Sequence, residues 1–230
     1  MNNFFIILAA GRSTRFKNKL PKQYNFYKGK MIVEHSIEKA LSSNLFNKVL
    51  LVVAKSHSKI IANINKKNLI IIHGGNERKD SSLKALKYLK KYKPNNVFIH
   101  DAARPNFEIK LLKKINKCLK KYPAVIPYIN TPNSTKLLYK GEFMNYDRLK
   151  ILLTQTPQAF NFKELYKRSL KNKKKITDES SLFVKNKKEI KFIKDSQNNF
   201  KITKLNDVKS NNLSYGIGFD IHRLIPNKIL

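Results

Sequence analysis

From Phe4 to Leu8 the chain is an unbroken apolar strand pattern, and it breaks at Ala9-Ala10-Gly11-Arg12-Ser13-Thr14-Arg15 before continuing into Leu20-Pro21-Lys22-Gln23. No other stretch restricts the fold so strongly. A short continuous apolar run bounded by turn residues reads as a buried strand of a helix-covered sheet. The small residues that follow let backbone N–H groups approach an anion, and Arg15 and Lys22 add cations where a following helix is already positive at its N-terminus. The segment has neither the Gly-Lys-Ser/Thr of a Walker loop nor the spaced glycines of a dinucleotide loop. Taken alone, the glycine loop is equally a tight strand-to-helix turn with scattered charge. Its continuation into Pro21-Lys22-Gln23 favours phosphate chemistry.

The rest of the chain repeats the pattern of short β-branched runs and helix-period segments. Strands are predicted at Phe4–Leu8, Val49–Val53, Leu69–Ile72, Val97–His100, Ala124–Pro127, Ile190–Ile193 and Phe200–Thr203. Helices are predicted at Ile32–Ser42, His57–Asn65, Ser82–Tyr92, Ile109–Lys120, Phe162–Lys171 and Ser180–Lys187. Such alternation predicts an α/β fold, a doubly wound and mostly parallel sheet with ligands at the carboxyl ends of its strands. Three loops after strands carry unusual residues: 9–15, 73–81 and 101–105. Between Asn130 and Leu153 the alternation breaks, and two strand-like runs flank Lys140-Gly141. This predicts a β-hairpin arm, at about 130–150, that projects from the parallel core and needs a partner to cover it.

The formal charge of +33 over 230 residues would ordinarily suggest a nucleic acid or an anionic membrane. The lysines, however, are spread over nearly every predicted helix, as on a solvated basic surface, so neither nucleic acid nor membrane is expected as a partner. Only seven of the 48 basic residues are Arg: Arg12, Arg15, Arg78, Arg104, Arg148, Arg168 and Arg223. Where Lys serves nearly everywhere, an Arg marks a place that needs a planar, forked donor. The single Cys118 lies in an amphipathic helix pattern and reads as a packing residue of a reducing compartment. The apolar run at the start is too short for a membrane span and lacks a signal peptide's basic leader, which makes a cytoplasmic location the expectation.

Two further loops carry chemistry. His73-Gly74-Gly75-Asn76-Glu77-Arg78-Lys79-Asp80-Ser81-Ser82 follows a strand and opens a helix; its glycines expose backbone groups suited to a pyrimidine edge, and Ser81 offers a hydroxyl. A Gly-Gly turn capped by Asp80 or Ser81 explains that loop as well. In Val97-Phe98-Ile99-His100-Asp101-Ala102-Ala103-Arg104-Pro105 a carboxylate ends a central strand and two alanines leave room beside it. Asp101 is thereby placed where a hard cation could bridge triphosphate oxygens, the alternative being a structural pair with Arg104. His100 reads as a packed strand residue.

These segments, with Thr154-Gln155-Thr156-Pro157-Gln158-Ala159-Phe160, Thr177-Asp178-Glu179-Ser180 and Asn199-Phe200-Lys201-Ile202-Thr203, resemble in order and spacing the 2-C-methyl-D-erythritol 4-phosphate cytidylyltransferases of non-mevalonate isoprenoid synthesis. The resemblance implies a Rossmann-like nucleotidyltransferase fold over residues 1–212 and transfer of CMP from CTP to methylerythritol phosphate with Mg²⁺. It implies that Arg15 and Lys22 stabilise the charge on the α-phosphorus and that Asp101 helps hold Mg²⁺. Nucleotide recognition would fall to Ala9, Ala10, Gly11, Gly75, Asn76, Ser81, Asp101, Ala102 and Arg104. Lys201, Arg148 and Ser134 would position the second substrate, with Thr131 as an alternative hydroxyl, and the arm would reach into the other subunit of a homodimer. Ser13 stands where the family usually has a second glycine, so its backbone must adopt an angle a Ser can tolerate.

The tail, Ser214-Tyr215-Gly216-Ile217-Gly218-Phe219-Asp220-Ile221-His222, resembles the opening of 2-C-methyl-D-erythritol 2,4-cyclodiphosphate synthase, a lyase that some bacteria fuse behind the transferase. Residues 213–230 are accordingly read as a truncated start of that domain. Asp220 and His222 would supply two ligands of an incomplete divalent-metal site, able to hold Zn²⁺ only weakly and without synthase activity.

Overall fold

A computed structural model of the chain describes residues 2–13, 16, 20–174, 176–184, 186 and 188–209. Its centre is a parallel set of strands, β1 (Asn3–Ala9), β4 (Lys48–Val53), β5 (Leu69–His73) and β6 (Asn96–Asp101), in the order β6-β1-β4-β5. Two short strands, β2 (Phe26–Tyr27) and β3 (Lys30–Met31), pair with each other between β1 and β4 in sequence. Helices α1 (Ile32–Ser42), α2 (Arg78–Leu89), α3 (Ile109–Cys118) and α4 (Phe162–Lys171) cover the two faces. Along β1 the side chains alternate: Phe5, Ile7 and Ala9 pack with α1 and α3, whereas Phe4 and Ile6 pack with α2 and α4. All five are 2% exposed or less. A strand buried on both faces has no polar side to alternate with, which is why the run reads as continuously apolar.

Beyond β6 the sheet is mixed. Strand β7 (Ala124–Asn130) leads into the hairpin β8 (Thr135–Tyr139) and β9 (Glu142–Tyr146), whose turn uses Lys140 and Gly141 at positive φ. Every residue of β9 is exposed, and Leu138, Tyr139 and Phe143 are 60%, 57% and 78% exposed. The chain then returns as β10 (Leu152–Thr154) and β11 (Gln158–Asn161), both antiparallel to β7, with β11 also antiparallel to β6. Strand β12 (Ile190–Lys194) pairs in parallel with β7 on the side away from β11, and a short α5 (Asn206–Lys209) closes the described chain.

Five stretches differ from expectation. Residues 152–161, read only as a motif, form β10 and β11, because Gln155 and Pro157 break the pattern into runs too short to register as strands. The predicted helix at His57–Asn65 is a 3₁₀ turn, Lys55–His57, followed by further turns, and the one at Ser180–Lys187 is the 3₁₀ turn Glu179–Leu182. In both, tertiary contacts override the helical period: His57 is buried on Tyr24, and Phe183 stacks on Phe160 with ring centroids 5.3 Å apart. Phe200–Thr203 is no strand; Ile202 bonds through its N–H to the Ala103 carbonyl at 2.9 Å, and its side chain packs with Phe16, Tyr27, Ile32 and Val208. Helix α2 begins at Arg78, four residues before the predicted start at Ser82, with Asp80 accepting from the Glu77 N–H at 3.1 Å. The predicted packing roles of Cys118 and His100 agree with the structure: Cys118 lies against the core and His100 is 0% exposed.

Candidate active site

The carboxyl ends of β1, β4, β5 and β6 open into a cleft of about 780 Å³. Ala9, Ala10, Gly11 and Lys22 line it on one side, Gly75, Asn76 and Ser81 on another, and Asp101, Ala102 and Lys201 close it. Ten of the residues singled out from the sequence therefore converge, although they come from segments up to 192 positions apart.

The first loop is fastened by one side chain that the sequence did not single out. Gln23, 3% exposed, donates through Nε2 to the Ala9 carbonyl at 2.6 Å and to the Gly11 carbonyl at 3.0 Å. Its Oε1 accepts from the Ser13 hydroxyl at 2.9 Å. Ser13 has a φ of 56°, the left-handed conformation in which a glycine is at ease and a Ser is strained. The adjacent Lys22 donates to the Ile202 carbonyl at 2.8 Å, so the loop, Lys22 and the Lys201 segment are joined. The only signal for Gln23 was its place directly after Pro21-Lys22.

Close approach explains the second loop. A Cβ on Gly74 would stand 2.6 Å from Ser81 Oγ and 2.9 Å from the Ala10 Cβ, and one on Gly75 would meet the Asp80 Cβ at 2.4 Å. The loop therefore packs directly on the first turn of α2 and on the first loop. Ser81 lines the cleft, yet its hydroxyl accepts from the Gly75 N–H at 3.0 Å, so it shapes the loop.

Asp101, at the end of β6, bonds to two cations: Oδ1 accepts from Arg78 Nε at 3.3 Å and Oδ2 from Lys201 Nζ at 2.6 Å. Burial pushes its carboxyl up, but Arg78 and Lys201 outweigh burial and hold it well below the usual carboxylate range. The ion-pair partners of Asp101 are thus Arg78 and Lys201, in place of the Arg104 expected as its structural alternative. Arg78 in turn bonds through Nη1 to both oxygens of buried Glu179, at 2.9 and 2.8 Å. The rarity of Arg could have drawn attention to Arg78, which lines the cleft; Glu179 gave no signal beyond its motif.

A buried hydrogen-bond chain fixes the Asp101 turn from behind. The Asp101 N–H donates to Thr156 Oγ1 at 3.1 Å, Thr156 Oγ1 lies 3.0 Å from His100 Nδ1, and His100 Nε2 lies 3.0 Å from the Arg104 carbonyl. Since a carbonyl only accepts, Nε2 carries the His100 proton and Nδ1 accepts from Thr156. Burial pushes the His100 pKa down to about 3, and the imidazole stays neutral.

Three predicted residues stand apart from this cleft. Arg104 does not line it; Nη1 donates to the Asn199 carbonyl at 2.7 Å, since the guanidinium is drawn to the turn that precedes Lys201. Arg148 follows the hairpin and bonds to the Pro132 carbonyl at 2.8 Å, and Ser134 is exposed at the base of the arm, while Thr131, the alternative hydroxyl near it in sequence, is half-buried. Arg15, Asp220 and His222 lie outside the described residues. Among the described residues no group of three His, Cys, Asp or Glu is placed to hold a metal. One ionised carboxylate facing an open cleft nevertheless fits Mg²⁺, which takes one or two carboxylates together with substrate phosphates.

The family model described as "IspD: 2-C-methyl-D-erythritol 4-phosphate cytidylyltransferase" matches residues 4–214. The chain is 49% identical over 231 residues to the bifunctional enzyme IspD/IspF of Pelagibacter ubique, covering 100% of this chain and 62% of that relative. It is 32% identical to the 2-C-methyl-D-erythritol 4-phosphate cytidylyltransferase of Thermosipho melanesiensis, with 90% of this chain and 94% of the relative covered. Among solved structures, the bifunctional IspDF from Campylobacter jejuni superposes with a TM-score of 0.79 at 28% identity, covering 92% of this chain and 55% of that one. The 4-diphosphocytidyl-2C-methyl-D-erythritol synthase from Anaerococcus prevotii gives 0.80 at 25% identity, covering 92% and 94%. The chain thus spans only part, 62% and 59%, of the two bifunctional relatives from Pelagibacter ubique and Wolbachia pipientis.

Proposed function

The chain belongs to the 2-C-methyl-D-erythritol 4-phosphate cytidylyltransferase family, and from that premise we propose that it transfers CMP from CTP to methylerythritol phosphate, releasing pyrophosphate. The observation that carries the reading is the single cleft in which the two glycine loops meet Lys22, Asp101 and Lys201. It offers small residues and backbone groups for a base and a triphosphate, and the cations Lys22 and Lys201 for two phosphorylated substrates.

The chemistry asks little beyond placement and charge. A phosphate monoester oxygen, anionic at neutral pH, attacks the α-phosphorus in line, so no protein nucleophile or general base is required. Lys22, with Arg15, would hold the negative charge that grows on the phosphorus, and Lys201 would hold the incoming phosphate. Asp101 is the residue that would hold Mg²⁺, whose contribution when bound is to neutralise triphosphate charge. The loops keep the nucleotide still because Gln23 and Ser81 have fixed their backbones before it arrives.

The arm completes the proposal. Its exposed apolar side chains favour a second copy of the chain as their cover, which would bring Arg148 and Ser134 to the partner's cleft. Incubation with CTP, Mg²⁺ and either methylerythritol phosphate or ribitol phosphate, with pyrophosphate release as the readout, tests the reading. Release with methylerythritol phosphate alone supports it; release with ribitol phosphate alone replaces it with another pyrimidine nucleotidyl transfer.

A further inference from the structure

Glu179 is a buried carboxylate, 1% exposed, for which the proposed reaction has no use. Its two oxygens receive Arg78 Nη1 at 2.9 and 2.8 Å, while Arg78 reaches Asp101 only through Nε, at 3.3 Å. The remaining oxygen of Asp101 accepts from Lys201 at 2.6 Å. Charge therefore alternates along the row Lys201, Asp101, Arg78, Glu179. A guanidinium next to a single carboxylate prefers to engage both oxygens with its fork. Here the fork is divided.

We infer that Glu179 is a positioning residue: by holding the Arg78 fork off Asp101 it leaves Oδ2 of Asp101 to Lys201, and so sets where the Lys201 ammonium stands in the cleft. The neighbouring carboxylate cannot take its place. Asp178 is occupied by Ser180, Gln158 and Thr154 at 2.6, 2.8 and 3.2 Å. Without the charge of Glu179, the nearest anion to Arg78 is Asp101; the fork closes on both its oxygens and Lys201 is released. The consequence for catalysis rests on the reading of Lys201 as the holder of the second substrate's phosphate, but the placement of Lys201 does not.

The test reads Lys201 directly, in the full chain and without nucleotide. Amines are acetylated with limiting reagent and quantified by mass spectrometry, with exposed Lys113 and Lys114 of α3 as internal references. In Glu179→Gln, Lys201 should react at least threefold faster than in the wild type relative to the references, and Glu179→Asp should return it to within twofold. In Arg78→Gln the sign reverses: among the described residues Asp101 keeps only Lys201 as an ion-paired cation, and labelling falls below the wild type. The opposed signs keep the test decisive if Glu179→Gln does not fold, since Arg78→Gln is read alone. Unchanged labelling, or a rise in Arg78→Gln, overturns the inference, because mere loosening of the region would speed both variants. Kinetics separate the two layers. A tenfold higher KM for methylerythritol phosphate in Glu179→Gln, with the KM for CTP within twofold, supports both. Shifted labelling without that split leaves the placement standing and overturns the catalytic reading of Lys201.

Discussion

The hydroxyl of Ser13 donates to Oε1 of Gln23 at 2.9 Å, joining the turn of the first loop to the residue beside Lys22. That bond accompanies a Ser φ of 56°, so a favourable contact and a backbone cost sit in one residue. Ser13→Ala should keep the cost and lose the contact, destabilising the chain by about 1 kcal/mol, whereas Ser13→Gly should be close to neutral because the relieved backbone offsets the lost bond. Urea unfolding of the two variants checks the order; Ala equal to or better than Gly would contradict it.

Gln23→Leu should be far worse, since it strips the Gln23 donor from the Ala9 carbonyl, which also accepts from the Tyr24 hydroxyl at 3.3 Å, and from the Gly11 carbonyl. A loss of about 2 kcal/mol or more is expected from buried acceptors left unpaired. CTP affinity, measured by calorimetry on the folded variant, should fall at least tenfold because the loop is no longer preset.

Neutral, buried His100 makes stability depend on pH. Its folded pKa, pushed down to about 3, lies below the ordinary unfolded value near 6.5. The unfolded chain thus binds a proton that the folded chain refuses, and stability is whole above pH 6.5 and is lost as pH falls toward 3, by at most about 1.4 kcal/mol per unit. Unfolding curves between pH 7 and 5 should show this slope, and His100→Gln should flatten it. An equal slope in the variant would assign the effect elsewhere.

Lys22→Ala should lower turnover about a hundredfold or more and change CTP binding much less, because a charge contact that tightens on the pentacoordinate phosphorus acts on rate. Pyrophosphate release and calorimetry separate the two quantities. A loss carried wholly by CTP affinity would make Lys22 a binding residue only.

If the arm serves a partner's cleft, an inactive Arg148→Ala chain mixed with an inactive Lys22→Ala chain should regain part of the activity, since one of two sites then receives both intact residues. Subunit exchange is followed with differently tagged chains. Exchange without recovery would place Arg148 outside the site.

The parallel core was legible because β1, β4 and β6 are buried on both faces, β5 at the edge is still a continuous apolar run, and each connection has a helical period; β1 and β4 through β6 need nothing but local pattern to be found. β10 and β11 were not, since their pairing is with β6 and β7, distant in sequence, and Gln155-Thr156-Pro157 interrupts the run. The cleft residues with a backbone reason, Gly11 and Gly75 among them, announced themselves by small size beside a strand end. Gln23, Thr156 and Glu179 did not, because their task is to hold another group and any polar residue of the right length looks the same in one dimension. Arg104, a rare residue inside a strong motif, is placed by a contact no local pattern could show: its guanidinium holds the Asn199 turn.

Strand β11 lies between β6 and β7 yet follows both in sequence, after the whole arm. The two strands it joins must therefore wait, during synthesis, with facing edges open until residue 161 has left the ribosome. For that interval the nascent chain is two unjoined half-sheets, and the hairpin is a delay built into the reading order of the gene, one whose length sets how long those edges stay open to the wrong partner.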